Sequence, residues 1–529
     1  MKIKNYFLSL LLLLAFVAVQ AQGGGAPENW FNLDLQKDSI LGVSAERAYN
    51  ELLQGKESKT VIVAVIDDGT DFKHEDLADI IWTNDKEVPG NGKDDDGNGY
   101  IDDVHGWNFI GGKDGNIDVE ALELTRVYAE YSKKFATVDV KKLTKEEKKQ
   151  YDYYIKKVKP AFFESHYEAS HNYFRFSNII QAVDEIEKEI GSKITLDKIK
   201  KYKAKGTYQE LAAKYITTFF GYGMDMDGIK EQFDGILNYY KNEVEHRYNV
   251  DFDPRSIVGD NYKDQNERVY GNNDYRGPQG DHGSHVAGII GAIRSNNVGI
   301  NGVANNVKIM IVRVVPDGDE RDKDVANGIR YAVDNGATVI NMSFGKSFSY
   351  NKQVVDEAVK YAESKDVLLV HAAGNDAKNT DLEDNFPTDK FEGKGSAKNW
   401  IEVGACAHEY GENIPAEFSN YGKKNVDVFA PGVEINSTTP DNKYASFSGT
   451  SMASPVTAGV CALIRSYFPE LTAEQVKSII MKSVTPITIK VKTPGTETLV
   501  DFKELCISGG VVNAYNAVQL AMKTKGKKK

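Results

Sequence analysis

Cysteine is scarce in this chain: Cys406, Cys461 and Cys506 are its only three in 529 residues. An odd number without metal-ligand spacing excludes a zinc ribbon and argues against a disulfide framework. Cys406 lies in a strand-like run and Cys461 in a helical one, so both are expected as small core residues. Long apolar runs are missing too. After residue 21 there is no stretch of about 18 apolar residues, so no membrane-spanning helix is expected there. Basic charge is not in excess either: the formal net charge is -12, which argues against nucleic acid or an anionic membrane as the main partner. No internal repeat, adhesion module or C-terminal accessory domain is expected.

What is present begins with MKIKNYFLSLLLLLAFVAVQA, residues 1–21, which has a basic start, an apolar core and a small-x-small ending at Val19 and Ala21. That is the composition of a secretory signal peptide. The protein is therefore expected to be exported to a periplasm, a cell surface or the medium. With no cysteine near the cleavage point, a lipid anchor is not expected.

From residue 300 onward the pattern alternates between apolar strands near 307–315, 337–343, 366–372 and 401–406 and helices near 323–335 and 352–364. Such alternation predicts an α/β fold, a mostly parallel sheet with helices on both faces. Functional side chains then gather at the carboxyl ends of the strands. VVNAYNAVQLAM closes the domain as a helix, before a basic tail, residues 521–529.

Four polar residues stand where that architecture would present them. Ser451, in GTSMASP, precedes the apolar helical run VTAGVCALI, and a serine at a helix start has free backbone N–H groups beside it. Pro455 is expected in the first turn of that helix, where no N–H is missed. Asp67 ends the β-branched run VIVAVID before Gly69, His282 opens the small-residue run DHGSHVAGIIGAI, and Asn375 follows the strand VLLVHAA. The chain order Asp, His, Ser is one of three known orders for a serine–histidine–acid triad.

IDDG, HGSHVAG, NMSFG, AAGND, FSNYG, VDVFAPG and SGTSMASP together make the chain resemble the subtilisin-like serine peptidases, the subtilases, over about residues 40–110 and 251–520. The resemblance implies Ser451 as nucleophile, His282 as general base and acid, Asp67 as its orienter and Asn375 as oxyanion donor. It implies protein or peptide substrates and no organic cofactor. It also places Ser343, Phe344 and Gly345, with Ala372, Ala373 and Gly374, in the walls of the specificity pocket, where an extended substrate would pair as an added strand. Asp68 stands where most relatives have Thr or Ser and resembles the kexin-like branch, in which the second acid favours a basic side chain two residues before the scissile bond. Asp376 is placed to reach the primary pocket. A chaperone-like propeptide is not expected, because ILGVSAERAYNELLQGK already resembles the start of a mature domain.

Asp67 and His282 are 215 positions apart. Residues 112–250 account for the excess and read as a helical insertion dividing the catalytic domain into 22–111 and 251–520. Thr144 with Glu147 and Thr207 with Glu210 match capping boxes. Ile229, Phe233, Ile236, Leu237, Tyr240 and Val244 recur at helical spacing. Just ahead of the insertion, Asp94, Asp96, Asn98, Tyr100 and Asp102 match ligand positions of an EF-hand calcium loop, with His105 where the bidentate glutamate normally stands and Asp103 as a substitute. So dense a carboxylate cluster predicts a structural calcium ion. The function expected from all this is an exported serine endopeptidase. Two alternatives are an exopeptidase or processing protease with gated access and a non-catalytic binding protein on the same scaffold. Oligomeric state is open.

Overall fold

The computed structural model describes residues 26–191, 193–278 and 280–527. The expected signal segment lies outside them, as does the very end of the basic tail. Among the described residues no helix is long and apolar enough to cross a membrane, and all three cysteines are buried and free.

Two compact units divide the described chain. The first, Ala26–Glu123 with Pro254–Lys529, is built on a nine-stranded sheet. Its parallel strands are β1 (Val61–Asp67), β2 (Gly106–Asn108), β3 (Val307–Arg313), β4 (Val339–Met342), β5 (Leu368–Ala372), β6 (Trp400–Cys406) and β7 (Val428–Pro431). The order runs Thr485–Pro486, Gly510–Val511, β7, β6, β5, β4, β1, β3, β2. Within this sheet, among the described pairings, only the edge strand Thr485–Pro486 is antiparallel to its neighbour. Register is continuous from Val61 opposite Val307 to Asp67 opposite Arg313. This is the α/β architecture expected, with the strands and helices within a few residues of their expected places.

The β-branched content of these strands fits a sheet buried on both faces. Along β1, Val61, Val63 and Val65 enter one core and Ala64 and Ile66 the other. The first core takes helices α1 (Asp281–Gly291) and α4 (Thr450–Tyr467), and the second takes α2 (Asp322–Asp334) and α3 (Lys352–Ser364). α1 carries small residues because it runs close to other backbone. A Cβ on Gly283 would meet Gly69 O at 2.0 Å. Strand order reverses at β1, flanked by β3 on one side and β4 on the other, the arrangement that opens a crevice at the carboxyl ends of parallel strands.

Pro455 is not in the first turn as expected, because α4 begins at Thr450 and the proline lies inside it. Lacking an N–H, Pro455 leaves Ser451 O without its helical partner. The Ser343 hydroxyl takes that place, donating to Ser451 O at 2.8 Å.

The second unit, Leu124–Asp253, is helical, with elements at Lys145–Tyr153, Lys159–Ile190, Leu196–Lys201, Thr207–Gly221 and Met226–Asn242. Ile229, Phe233, Ile236 and Tyr240 are buried against Phe176, Ile179 and Phe219, Leu237 packs at the margin, and Val244 falls beyond the helix in a π turn. Thr144 and Glu147 form their capping box. Thr207 and Glu210 do not: the helix starts at Thr207 itself, with Gly206 as its cap. Gly191, at φ 66°, ends the 32-residue helix in the left-handed geometry that glycine adopts without strain.

Candidate active site

Asp67 ends β1 almost fully buried, and the sharp turn after it depends on Gly69, at φ 119°, where a Cβ would lie 2.2 Å from Arg276 O. Asp67 Oδ1 accepts the Asp68 N–H at 2.9 Å and lies 2.7 Å from His282 Nδ1. His282 is the second residue of α1 and half-buried. With Nδ1–H held by Asp67, Nε2 is left as the basic nitrogen. Burial alone would lower its pKa, but the charge and hydrogen bond of Asp67, with Asp68 beyond, outweigh it and raise the imidazole to about 9.

Ser451 lies in the first turn of α4. Its Oγ donates to Ser343 O at 3.1 Å. Ser343 Oγ in turn accepts from Asn341 Nδ2 at 2.9 Å, and Asn341 Oδ1 accepts from Ser454 Oγ at 2.8 Å. This chain of satisfied buried polar groups fixes the start of α4 against the end of β4. Asn375 is oriented from the same helix: its Oδ1 accepts both the N–H and the hydroxyl of Thr450 at 2.9 Å. Its Nδ2 is thereby turned the other way. That nitrogen and the Ser451 N both lie 3.6 Å from the point a Cβ on Gly449 would occupy.

Asp67, Asp68, His282 and Ser343 line one cleft of about 250 Å³ together with Asp118, Arg313 and Asp317. Asp68 Oδ1 accepts the Gly283 N–H at 2.8 Å. Burial and the Asp67 charge push the Asp68 carboxyl up, with His282 and the Gly283 bond opposing. Arg313 is buried, giving Nε to Asp68 O at 3.0 Å and Nη2 to Ile117 O and Asp118. Four carboxylates facing one guanidinium and one imidazole make the cleft acidic.

Gly345 and Gly374 flank a residue that motif reasoning missed. The Asn385 amide donates to Ala372 O at 3.1 Å and stands 2.5 Å from where a Gly345 Cβ would be and 3.3 Å from that of Gly374. Ala372 and Ala373 are buried, and Phe344 leans on the second core with its ring 6.3 Å from that of His371. Asp376 points to solvent beside Lys378, 3.7 Å away.

In the acidic loop the structure brings Asp94 and Asp96 together with Glu87, their ligand oxygens all within 4.8 Å. Asp102 is turned elsewhere, accepting the Asn91 and Gly92 N–H groups. Asp103 holds Asn84, Asn98 and the Tyr331 hydroxyl. The Asn98 side-chain oxygen accepts the Tyr100 N–H, and His105 Nδ1 lies 2.9 Å from Trp82 O.

A family model described as the subtilase family matches residues 58–504. The chain is 44% identical over 186 residues to a thermophilic serine proteinase of Bacillus sp. (strain AK1), covering 35% of this chain and 42% of that protein. It is 39% identical over 239 residues to thermitase of Thermoactinomyces vulgaris, covering 45% and 75%. A solved protease from Pseudoalteromonas arctica PAMC 21717 aligns at 31% identity over 47% of this chain and 78% of its own, with a TM-score of 0.38. The chain spans about half the length of the first curated relatives it matches.

Proposed function

The chain belongs to the subtilase family, and on that premise we propose that it is an exported serine endopeptidase acting through Ser451, His282, Asp67 and Asn375. The observation that carries this reading is the 2.7 Å bond from His282 Nδ1 to Asp67, on the wall of a cleft also lined by Ser343, whose carbonyl accepts the Ser451 hydroxyl. At rest the Ser451 hydroxyl donates to Ser343 O, so its proton must be redirected to His282 Nε2 before attack. As Ser451 Oγ bonds to the peptide carbonyl carbon, His282 takes that proton and Asp67 stabilises the imidazolium. The oxygen that becomes negative is received by Asn375 Nδ2 and the Ser451 N–H, at the positive end of α4. Collapse breaks the C–N bond, with His282 returning the proton to the leaving amine. Water then repeats the sequence in reverse to free the acid product and Ser451.

Protein or peptide segments are the substrates, laid in extended form against Ser343–Gly345 and Ala372–Gly374. The acidic cleft around Asp68, Asp118 and Asp317 supports a preference for a basic side chain beside the scissile residue. We assign a structural role to a calcium ion held through Asp94 and Asp96. No organic cofactor enters the reaction.

Digestion of a peptide library by the protein and by Ser451→Ala, read by mass spectrometry, tests the proposal. Internal cuts that disappear in the variant are expected. Cuts confined to chain ends would replace the endopeptidase reading with an exopeptidase one, and cuts surviving in the variant would remove Ser451 from the chemistry.

A further inference from the structure

Glu87 lies a little ahead of the acidic loop and is 6% exposed. Its Oε1 accepts the N–H groups of Asp95 at 2.9 Å and Asp96 at 3.2 Å, so the loop backbone fixes the carboxylate's orientation. Its Oε2 is buried and has no hydrogen-bond partner. A carboxylate oxygen cut off from water without a donor is strongly disfavoured unless a cation neutralises it. Glu87 belongs to the same cluster as Asp94 and Asp96, each offering one carboxylate oxygen. The spacing, no more than 4.8 Å, suits two oxygens on opposite sides of a calcium ion, which at 2.3–2.6 Å each stand about 4.6–5.2 Å apart.

From this we propose that Glu87 is a ligand of the calcium ion, supplying from before the loop the carboxylate that an EF-hand takes from its twelfth position. The proposal rests on the calcium reading above. It explains how the loop closes although His105 stands at that twelfth position and is occupied with Trp82 O. It also explains why Asp102 is spent on the Asn91 and Gly92 backbone, since the site no longer needs it. Asp95 stands outside the cluster, its Oδ2 accepting from Val88 N and Asn91 Nδ2. The resulting ligand set is Glu87, Asp94 and Asp96, three carboxylates around a divalent ion, with Asp94 also bonding the Gly97, Asn98 and Gly99 N–H groups that shape the turn.

The test is calcium titration by calorimetry on the full chain carrying Ser451→Ala, which prevents self-cleavage, against the same protein with Glu87→Gln or Asp94→Asn added. Circular dichroism first establishes that each is folded. Glu87→Gln is expected to weaken the site at least 100-fold, as Asp94→Asn does. If Asp94→Asn loses an ion and Glu87→Gln titrates like the parent, Glu87 is not a ligand and the calcium reading stands. If neither variant changes the titration, the calcium reading itself fails. Should Glu87→Gln not fold, Glu87→Asp keeps the charge but draws the carboxylate back by one methylene. It is expected to bind about tenfold more weakly, and affinity equal to the parent's would overturn the proposal.

Discussion

The sheet unit and the helical unit differ most in what they bury. Among the described residues of Leu124–Asp253 the buried polar side chains are Thr125 and Gln209, and none is charged. The sheet unit buries Asp67, Glu87, Arg313, Lys323, Asp324 and Lys346 among others. In the helical unit ion pairs such as Lys149–Glu146 and Lys241–Glu245 stay on the surface, one helical turn apart. Burying a charge is costly unless it is paired or used. A unit that avoids that cost is organised mainly by apolar periodicity, whereas a unit that accepts it has carboxylates positioned for a histidine, an arginine or a lysine.

The largest expected effect falls on chemistry and leaves stability alone. Ser451→Ala should lower kcat by about 10⁶-fold, the scale of nucleophile loss in a subtilisin, with no drop in melting temperature. An activity loss of only tenfold would mean another group supplies the nucleophile. Lys346→Ala should do the opposite. Lys346 Nζ lies 2.9 Å from Glu123 and 2.8 Å from Asp322, with the side chains of all three buried. Removing it strands the carboxylates and should cost about 3–5 kcal/mol, measured by chemical denaturation. A cost near that of a surface substitution would show that burial of charge does not separate the two units.

Much of this contrast was legible in the sequence. The β-branched run before Asp67, the small residues after His282 and the apolar helix after Ser451 each carry a local signature, so the strand ends came out where expected and Ser451 fell in the first turn of a helix, although that helix begins at Thr450 and not at Pro455. The helical face Ile229, Phe233, Ile236 and Tyr240 was equally plain, since its period is its only requirement. What was not legible depends on contacts between distant segments. Glu87 and Asn385 match no motif, and their importance comes from an oxygen left without a donor and from glycines brought alongside by the sheet. Pro455 misled because a proline is read as a boundary, whereas here Ser343 satisfies the carbonyl the proline leaves free. Thr207 misled because a threonine three residues before a glutamate specifies a box only if the helix begins after it.

A smaller effect should appear in the pH profile. As the proposed general base His282 must be neutral to act, so kcat/KM should rise with pH along a limb displaced above the ordinary histidine value of about 6.5, in the direction of its raised pKa of about 9. The same shift has a stability sign. A group whose pKa is raised by folding contributes stability that is complete below about pH 6.5 and is lost as pH climbs through about 9. Asp67→Asn should move the limb downward while reducing the rate. A limb unmoved by that substitution would separate the pH dependence from the Asp67–His282 pair.

The smallest effect belongs to the helical unit's surface. Lys149 and Glu146 approach to 3.0 Å, with side chains 66% and 72% exposed, where water screens their attraction and ordering two long side chains offsets what remains. Lys149→Ala should therefore leave the melting temperature unchanged within about 1 °C. Set beside Lys346→Ala, it removes the same residue type from carboxylate partners, one here against two there, with burial as the main difference. If the two variants lost comparable stability, the difference between the units would have to be sought in how tightly each is packed rather than in where each keeps its charge.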